Sequence, residues 1–310
     1  MGENARTGSL AAIGGTPIVR LSRLVEPGMA EVWVKLESHN PTGSYKDRMA
    51  LAMIEGAERR GELRPGQTVV EYTGGSTGSS LAYVCAVKRI PLRIVSATCF
   101  ATEKIRTMRA FGAVVELIES PEGITPTTIP RMMARAAAIT SEIAGYPTNQ
   151  FHNSDMLDGY RALGEELLAQ LAGRLDGFCA YVGTAGCLCG TGRTLRARLP
   201  QLQRLAVEPA ESAVLSGGTP GTHGIEGGGS GFRPPLLRDD DFDGVFPVST
   251  ADAFAMARRA AREEGLWSGP SSGANILAAL ELARRLGVGR RVATVLCDSG
   301  LKYLGGDLYA

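Results

Sequence analysis

The sequence predicts an α/β fold with two doubly wound lobes, each built on a parallel sheet. The chain has 310 residues, which exceeds what one small core accommodates, so two compact lobes are expected. Its 44% hydrophobic and 21% charged residues are typical of a globular protein. Short strand-like runs alternate with longer amphipathic runs, a pattern that indicates right-handed crossovers and parallel sheets covered on both faces.

Strands are predicted where apolar and β-branched residues run between turn formers, and helices where apolar residues recur every three or four positions. The predicted strands cover residues 32–36, 68–72, 92–96, 113–118, 177–182, 204–207 and 291–297. Helices are predicted over residues 79–88, 102–111, 157–171, 251–264 and 272–286.

The boundary between the lobes is predicted where this periodicity lapses, over residues 145–153. We therefore expect a large lobe of residues 1–38 and 149–310 and a smaller lobe of residues 39–148. A stretch rich in glycine and proline follows at residues 216–235. A loop of that length in a compact α/β protein is usually functional.

The composition argues against a nucleic-acid partner and against a membrane protein. The net charge is +1 and no run of Lys and Arg occurs. No apolar run approaches the length of a membrane span, and residues 1–7 lack the apolar segment of a signal peptide. We expect a soluble, cytoplasmic protein.

The cysteines and histidines do not form a metal-binding pattern. The six cysteines lie mostly in apolar segments, as buried and reduced thiols do in cytosolic proteins. Cys187 and Cys189 are separated by one residue and have no His or Cys cluster beside them. The three histidines, His39, His152 and His223, are scattered through loop-like sequence. Neither a metal site nor a histidine-based triad is expected.

Residues 40–48, Asn-Pro-Thr-Gly-Ser-Tyr-Lys-Asp-Arg, place a lysine at the start of a predicted helix. Lys46 falls in the first turn, where the helix dipole disfavours a cation by roughly 0.3–1 kcal/mol. That field and partial burial would lower the pKa of the amine and free its lone pair for chemistry. The alternative is a solvated surface lysine. Asp47 and Arg48 are expected to pair within the smaller lobe.

Two glycine-rich turns each follow a predicted strand and precede a helix, at residues 73–78 and 183–190. Ligands in such sheets bind beyond the carboxyl ends of the strands, where backbone amides and the helix dipole attract anions. The second turn is the better phosphate site, because it joins a strongly apolar strand to a helix start. Neither turn has the Gly-Lys-Ser/Thr ending of a P-loop, which argues against nucleotide hydrolysis.

A nicotinamide-dependent oxidoreductase is a distant alternative. Glu208 follows the next strand about 22 residues after Gly186, where an acid that binds ribose belongs. However, Gly183, Gly186 and Gly190 do not have the Gly-x-Gly-x-x-Gly spacing. A helix-mouth lysine with two anion-binding turns indicates instead a phosphorylated aldehyde held as a Schiff base, and pyridoxal 5'-phosphate fits that description.

Several motifs in order resemble the fold-type II pyridoxal phosphate enzymes, which have the tryptophan synthase β-like fold, and most closely the cysteine synthases (O-acetylserine sulfhydrylases). The similarity runs from Ile-Gly-Gly-Thr-Pro at residues 13–17 to Asp-Ser-Gly-Leu-Lys-Tyr at residues 298–303. It implies that the large lobe anchors the cofactor and that the smaller lobe carries the substrate loop. It also implies a homodimer.

The resemblance assigns roles to individual residues. Lys46 is the residue that carries the cofactor and acts as the catalytic base. The substrate carboxylate is assigned to one loop and a glutamine, Thr73, Gly74, Gly75, Ser76, Thr77 and Gln150. Ser76 is assigned to the cofactor, and Ser271 is assigned to its ring nitrogen. The phosphate is assigned to the loop Gly183, Thr184, Ala185, Gly186 and Cys187.

Structural alternatives remain for several of these positions. Ser271 could be an N-cap, Gln150 a loop residue that satisfies backbone groups, and Thr73 and Thr77 caps of the helix predicted to begin near Ser79. The activity that the resemblance implies is β-elimination followed by β-replacement on an activated L-serine, of the O-acetylserine or O-phosphoserine type, with sulfide or another nucleophile.

Some of the positions expected to contact the cofactor or the substrate differ from the usual family pattern. Gly74 and Ser76 stand where the family usually has Ser and Asn, Cys187 where it has Thr, and Gly228 where it has Ile. Arg233 is a candidate contact for an anionic donor, or a surface residue. Alternatives therefore stay open: net elimination, as in serine/threonine dehydratases or cysteine desulfhydrases, or a homologue that binds the cofactor without catalysis.

Overall fold

The computed structural model describes residues 8–125 and 127–310. Residues 1–7, where the sequence lacks a signal-peptide pattern and where the predicted large lobe begins, lie outside the described residues. In the described part of the chain, no helix is long and apolar enough to cross a membrane.

Ten strands and eight α-helices are described, and they alternate along most of the chain. The strands are β1 (Ile18–Arg20), β2 (Glu31–Leu36), β3 (Val69–Tyr72), β4 (Leu92–Ala97), β5 (Val114–Ile118), β6 (Tyr146–Pro147), β7 (Gly177–Tyr181), β8 (Gln203–Pro209), β9 (Gly244–Val248) and β10 (Arg291–Leu296). The helices are α1 (Lys46–Arg60), α2 (Ser76–Lys88), α3 (Thr102–Ala110), α4 (Thr128–Glu142), α5 (Asp155–Gln170), α6 (Gly186–Arg198), α7 (Thr250–Glu264) and α8 (Pro270–Leu286).

The larger sheet has six strands in the order β1-β2-β10-β7-β8-β9. All neighbours are parallel except the edge pair β1 and β2. Successive residues of β7 enter different cores, because side chains alternate across a strand. Phe178 and Ala180 join the core that contains α5 and α6, whereas Cys179 and Tyr181 join the core that contains α7 and α8. Helices therefore cover both faces of this sheet.

The smaller sheet has four parallel strands in the order β5-β4-β3-β6. Val69 of β3 belongs to the core shared with α1 and α2, and its neighbour Val70 belongs to the core built on α4. Ile94 and Val95 of β4 divide between the two cores in the same way. Both faces are covered, which confirms the prediction of a doubly wound α/β fold with two parallel sheets.

Every predicted strand is present, but the prediction of secondary structure was incomplete. Strands β1, β6 and β9 and helix α4 were not predicted, and β1 is antiparallel where only parallel pairs were expected. β9 carries Pro247, which is tolerated at the edge of a sheet but weakens a strand pattern. Helix α2 begins at Ser76, three residues before the predicted start at Ser79. The exact limits of the two lobes remain a prediction.

The topology brings the chemically informative turns to the carboxyl ends of parallel strands. β3 ends at Tyr72 and leads into α2, and β7 ends at Tyr181 and leads into α6. β10 ends at Leu296, immediately before Cys297 and Asp298. Such edges are the usual ligand-binding positions of open α/β sheets.

Candidate active site

Lys46 is the first residue of α1 and is 5% exposed. Its Nζ lies 4.5 Å from the centre of the Tyr45 ring and forms no ion pair within the described ranges 8–125 and 127–310. Burial lowers the pKa of this amine, while the nearby Cys297, Cys187 and Asp298 partly oppose the shift. The solvated-lysine alternative is therefore wrong. The expected direction of the pKa shift is correct, and desolvation is its largest cause.

The turn between β3 and α2 has a conformation that depends on glycine. Gly75 has a φ of 140°, and its N–H donates to Thr73 Oγ1 over 3.1 Å. Thr73 keeps its own hydroxyl proton for another acceptor. Because Gly75 is the N-cap residue of α2, the N–H groups of Ser76 and Thr77 fall in a first turn that lacks acceptors within the helix.

Gln150 lies in a loop against this turn, and its side chain satisfies a backbone group there, as the structural alternative for this residue expects. Thr77 Oγ1 donates to Gln150 Oε1 over 2.9 Å, and Gln150 Nε2 donates to the Tyr72 carbonyl over 2.7 Å. The buried Glu71 carboxylate accepts from the Gln150 N–H over 3.1 Å. Thr148 Oγ1 also donates to that carboxylate, over 2.5 Å. Burial raises the pKa of Glu71 to about 7 although these donors favour its ionised form.

The second turn leads from β7 into α6. Ala185 is the N-cap residue of α6 and has a φ of 67°, a left-handed conformation that costs a residue with a Cβ roughly 1–2 kcal/mol. A Cβ on Gly183 would lie 2.6 Å from the carbonyl oxygen of Gly227, so two glycine segments approach closely here. The helix that begins at Gly186 has 13 residues, and its first N–H groups form an anion-binding end.

Ser271 is a residue of the first turn of α8, whose N-cap is Gly269. The capping alternative for Ser271 is therefore wrong. Its hydroxyl interacts with the Cys297 thiol, whose pKa burial raises to about 12. Thr73 and Thr77 are likewise not the N-cap of α2, because that position belongs to Gly75.

The structure shows what surrounds three of the residues that differ from the family pattern. A Cβ on Gly74 would lie 2.6 Å from Phe100 Cε1, and a Cβ on Gly228 would lie 2.5 Å from Tyr181 Cε1. Aromatic rings thus occupy the space that side chains at these positions would need. Ser76 Oγ donates to Asp298 Oδ2 over 3.3 Å.

Arg233 and Glu208 both have partners within the protein. Arg233 is 2.5 Å from Asp239 in an exposed ion pair, so the structure gives it a surface role. Glu208 accepts from the backbone N–H groups of Leu215 and Ser216 over 2.7 and 2.9 Å. This carboxylate is already satisfied, which removes the main support for a ribose-binding acid.

Arg48 corrects the expectation that it pairs within the smaller lobe. Its guanidinium binds Glu37 and Glu166, both assigned by prediction to the large lobe, at 2.7 and 2.8 Å. Asp47 instead accepts from the Thr42 N–H over 2.8 Å.

The described cysteines are all free thiols, and five of the six are buried. Across residues 8–125 and 127–310, no group of three or more His, Cys, Asp or Glu side chains has the arrangement of a metal site.

A row of buried, hydrogen-bonded polar side chains lies next to these turns and was not predicted from the sequence. Lys104 of α3 is 2% exposed; its Nζ lies 2.8 Å from Glu226 Oε2 and donates to the Tyr303 hydroxyl over 3.0 Å. Tyr303 donates to Asp298 Oδ2 over 2.8 Å, and this carboxylate also contacts Ser76. Lys104 lies in an amphipathic helix, where a lysine is normally solvated, so its pattern contains no signal for burial.

One cleft brings together nine of the predicted site residues. They are Lys46, Thr73, Gly74, Gly75, Ser76, Thr77, Gln150, Gly183 and Thr184. The cleft also contains side chains that were not predicted as site residues, namely Tyr72, Phe100, Lys104, Ile124, Ile129, Phe151 and Ser230. Ala185, Gly186, Cys187 and Ser271 are not among its lining residues.

This cleft fits the predicted cofactor. The empty space of the cleft is about 670 Å³, a figure that includes its open mouth. Lys46 offers a buried amine without an ion pair among the described residues, as an aldehyde requires. The amino end of α6 begins just after the cleft residues Gly183 and Thr184, where a phosphate group would meet backbone N–H groups.

Comparisons with known proteins show the family of the chain. A family model described as "Pyridoxal-phosphate dependent enzyme" matches residues 10–298. A cysteine synthase of Staphylococcus aureus is 41% identical over 300 residues, which cover 96% of this chain and 95% of that protein.

Solved structures show the same relationship. O-acetyl serine sulfhydrylase isoform 3 from Entamoeba histolytica superimposes with a TM-score of 0.92 at 35% identity, covering 99% of this chain and 92% of that one. O-ureido-L-serine synthase also has a TM-score of 0.92, at 34% identity over 98% of this chain and 95% of its own. The fold, the enzyme class and the cofactor predicted from the sequence are confirmed, and the chain belongs to the family of pyridoxal-phosphate dependent enzymes.

Proposed function

We propose that this enzyme is a cysteine synthase, which replaces the acetoxy group of O-acetyl-L-serine with sulfide. The observation that carries the proposal is a single cleft that contains the buried amine of Lys46 and the polar turn at residues 73–77. The names of the Staphylococcus relative and of the Entamoeba structure support the choice of substrate.

Lys46 would hold the cofactor through Nζ, and the same atom, when free, would take the α-proton of the substrate. Its lowered pKa leaves more of the amine with a free lone pair at neutral pH than an ordinary lysine has. When bound, pyridoxal phosphate supplies the electron sink that makes this α-proton acidic. The ammonium formed on Lys46 is then placed to return a proton.

The turn at residues 73–77 is proposed to bind the substrate carboxylate. Thr77 has donated its hydroxyl proton to Gln150, whereas Thr73 accepts from Gly75 and keeps its own proton for a ligand. The unsatisfied N–H groups at the start of α2 add donors and a favourable dipole. Gln150 therefore acts by fixing the orientation of Thr77.

The remaining predicted cofactor residues are proposed to bind its two ends. Backbone N–H groups of residues 183–187 would hold the phosphate, so Cys187 needs no hydroxyl to take part. Ser271 would face the ring nitrogen. A neutral hydroxyl supplies no counter-charge for a protonated ring, which favours elimination and replacement at Cβ over transamination.

Purified holoenzyme tests the proposal. O-acetyl-L-serine with sulfide should give cysteine and acetate in equal amounts, and Lys46→Ala should lose the visible absorption of the lysine-bound cofactor together with turnover. Lys88→Ala is a matched control, because Lys88 is a half-buried lysine that pairs with Glu58 and does not line the cleft. Retention of wild-type turnover by Lys46→Ala would refute the role of Lys46.

The same assay separates replacement from net elimination. L-serine, O-phospho-L-serine and L-cysteine are offered in parallel, and pyruvate and ammonia are measured beside cysteine. Pyruvate as the main product, at a rate that sulfide does not change, would replace the cysteine synthase assignment with a lyase. A spectrum that no amino acid alters would indicate a non-catalytic homologue.

We also propose a cytoplasmic homodimer with small-molecule amino-acid substrates and with the lobe limits given above. The resemblance to the cysteine synthases supports the dimer. Light scattering on the eluting holoenzyme should give about twice the 32.6 kDa of one chain. A mass equal to one chain would contradict the dimer without affecting the assignment of the reaction.

A further inference from the structure

One side of the cleft is apolar. It is not used by the proposed cofactor contacts or by the turn at residues 73–77, which is proposed to bind the substrate carboxylate and is called the carboxylate turn. Tyr72, Phe100, Ile124, Ile129 and Phe151 line this side, which we call the apolar wall. These five side chains belong to or pack against the core on α4. The Tyr72 and Phe151 rings are stacked, with centres 6.2 Å apart and planes 13° from parallel. Three of the five are aromatic and are held in the core, so the wall is rigid.

The absence of a side chain at Gly74 extends the wall to the carboxylate turn. The Phe100 ring occupies the position that a side chain there would take, 2.6 Å from the ideal Cβ. Phe100 is itself 7% exposed and held in the core. An amino acid bound at residues 73–77 would therefore have an aromatic ring next to it rather than a polar group.

The charges of the cleft leave no free cation for a second anionic group. Among the described residues that line it, Lys46 and Lys104 are the charged ones. Lys104 is paired with Glu226 at 2.8 Å, and Lys46 is assigned to the cofactor. An acceptor that carries a carboxylate of its own would have to leave water without gaining a cationic partner, which is unfavourable.

We infer that the apolar wall receives the second substrate. This substrate is a thiol whose substituent is apolar and uncharged, accepted in addition to sulfide. The inference rests on the proposed replacement reaction. The thiolate sulfur forms a bond to Cβ of O-acetylserine, the Cβ–O bond breaks, and acetate leaves with the electron pair. The thiol proton is released to solvent, so the products are an S-substituted cysteine and acetate.

Holoenzyme with saturating O-acetyl-L-serine is assayed with three acceptors: sulfide, phenylmethanethiol and 3-mercaptopropionate. Each rate is divided by the concentration of deprotonated acceptor at the assay pH. The product measured is cysteine from sulfide and the S-substituted cysteine from each thiol. We expect kcat/KM for phenylmethanethiol to exceed that for 3-mercaptopropionate by about tenfold or more, as one well-matched apolar contact can provide. Equal or reversed values would overturn the inference and, if cysteine forms from sulfide, leave the proposed function intact. No product from any acceptor would overturn both.

Two substitutions test the wall itself. Ile129→Thr puts a hydroxyl on the wall, and Ile118→Thr makes the same change beside the same core but away from the cleft. Ile129→Thr should lower the ratio of kcat/KM for phenylmethanethiol to kcat/KM for sulfide several-fold, whereas Ile118→Thr should leave this ratio unchanged. A ratio that Ile129→Thr does not alter would contradict the placement of the acceptor.

Discussion

Arg48 and Glu37 form a buried, two-point ion pair: Nε lies 2.7 Å from Oε2, and Nη2 lies 2.8 Å from Oε1. The guanidinium also binds Glu166: burial raises the pKa of that carboxyl, but Arg48 and Lys35 together lower it to about 2. Because Arg48 follows Lys46 by two residues in α1, this pair fixes the start of that helix to the segment after β2. Planar, two-point geometry is specific to arginine.

Arg48→Met should be strongly destabilising, because it leaves the Glu37 carboxylate buried without its partner. Loss of one member of such a pair typically costs roughly 3–5 kcal/mol. The free energy of unfolding is measured by urea denaturation of the holoenzyme. Arg48→Met combined with Glu37→Leu should recover part of the loss, since no unpaired charge then remains. A cost below about 1 kcal/mol for the single change would show that this pair behaves as a surface pair does.

Gly74→Ser should be unfavourable in this chain because the Phe100 ring occupies the required space. Overpacking of this kind typically costs roughly 1–3 kcal/mol. The same substitution in a Phe100→Ala background should cost much less, because the ring is gone. A double-mutant cycle on the free energy of unfolding, with KM for O-acetylserine as a second readout, measures this coupling. Additive effects would mean that the two positions do not compete for space.

The sequence was sufficient for the features that depend on local chemistry. The placement of Lys46 at a helix start follows from the turn formers before it and the apolar run after it. The two glycine turns likewise follow predicted strands, and both lie at the carboxyl ends of β3 and β7. These features need only neighbouring residues to be recognised.

The features that were missed depend on contacts distant in sequence. Lys104 is buried because Glu226 and Tyr303, 122 and 199 residues away, meet its Nζ. The consequence of Gly74 depends on Phe100, whose position is set by the core on α4, a helix that was not predicted. Periodicity reports which face of an element is apolar, and it contains no information about which distant residue will approach that face.

Glu71 should make stability depend on pH. Its pKa in the folded protein is about 7, above the ordinary value of 4.5, so between these values the folded state binds more protons than the unfolded state. The free energy of unfolding should therefore fall as pH rises from about 4.5 to about 7, by roughly 3 kcal/mol from this group.

The measurement compares wild type with Glu71→Gln by urea denaturation at pH 5 and pH 8. The stability of wild type relative to the variant should be greater at pH 5. Glu165→Gln is the control, because the Glu165 side chain is 63% exposed. A wild-type-to-variant difference that is the same at both pH values would contradict the raised pKa of Glu71.

Lys104→Met should destabilise the enzyme more than removal of a surface lysine does. The change leaves Glu226 without its cation and the Tyr303 hydroxyl without its donor. Glu226 keeps some access to water at 19% side-chain exposure, so we expect about 2–4 kcal/mol rather than the full cost of a buried unpaired charge. Lys88→Met is the matched control: the Lys88 side chain is 20% exposed and pairs with Glu58, which is 38% exposed, and pairs open to water contribute about 1 kcal/mol or less. Urea denaturation of both holoenzyme variants at one pH provides the comparison, and equal losses would show that the Lys104 pair contributes no more than a surface pair.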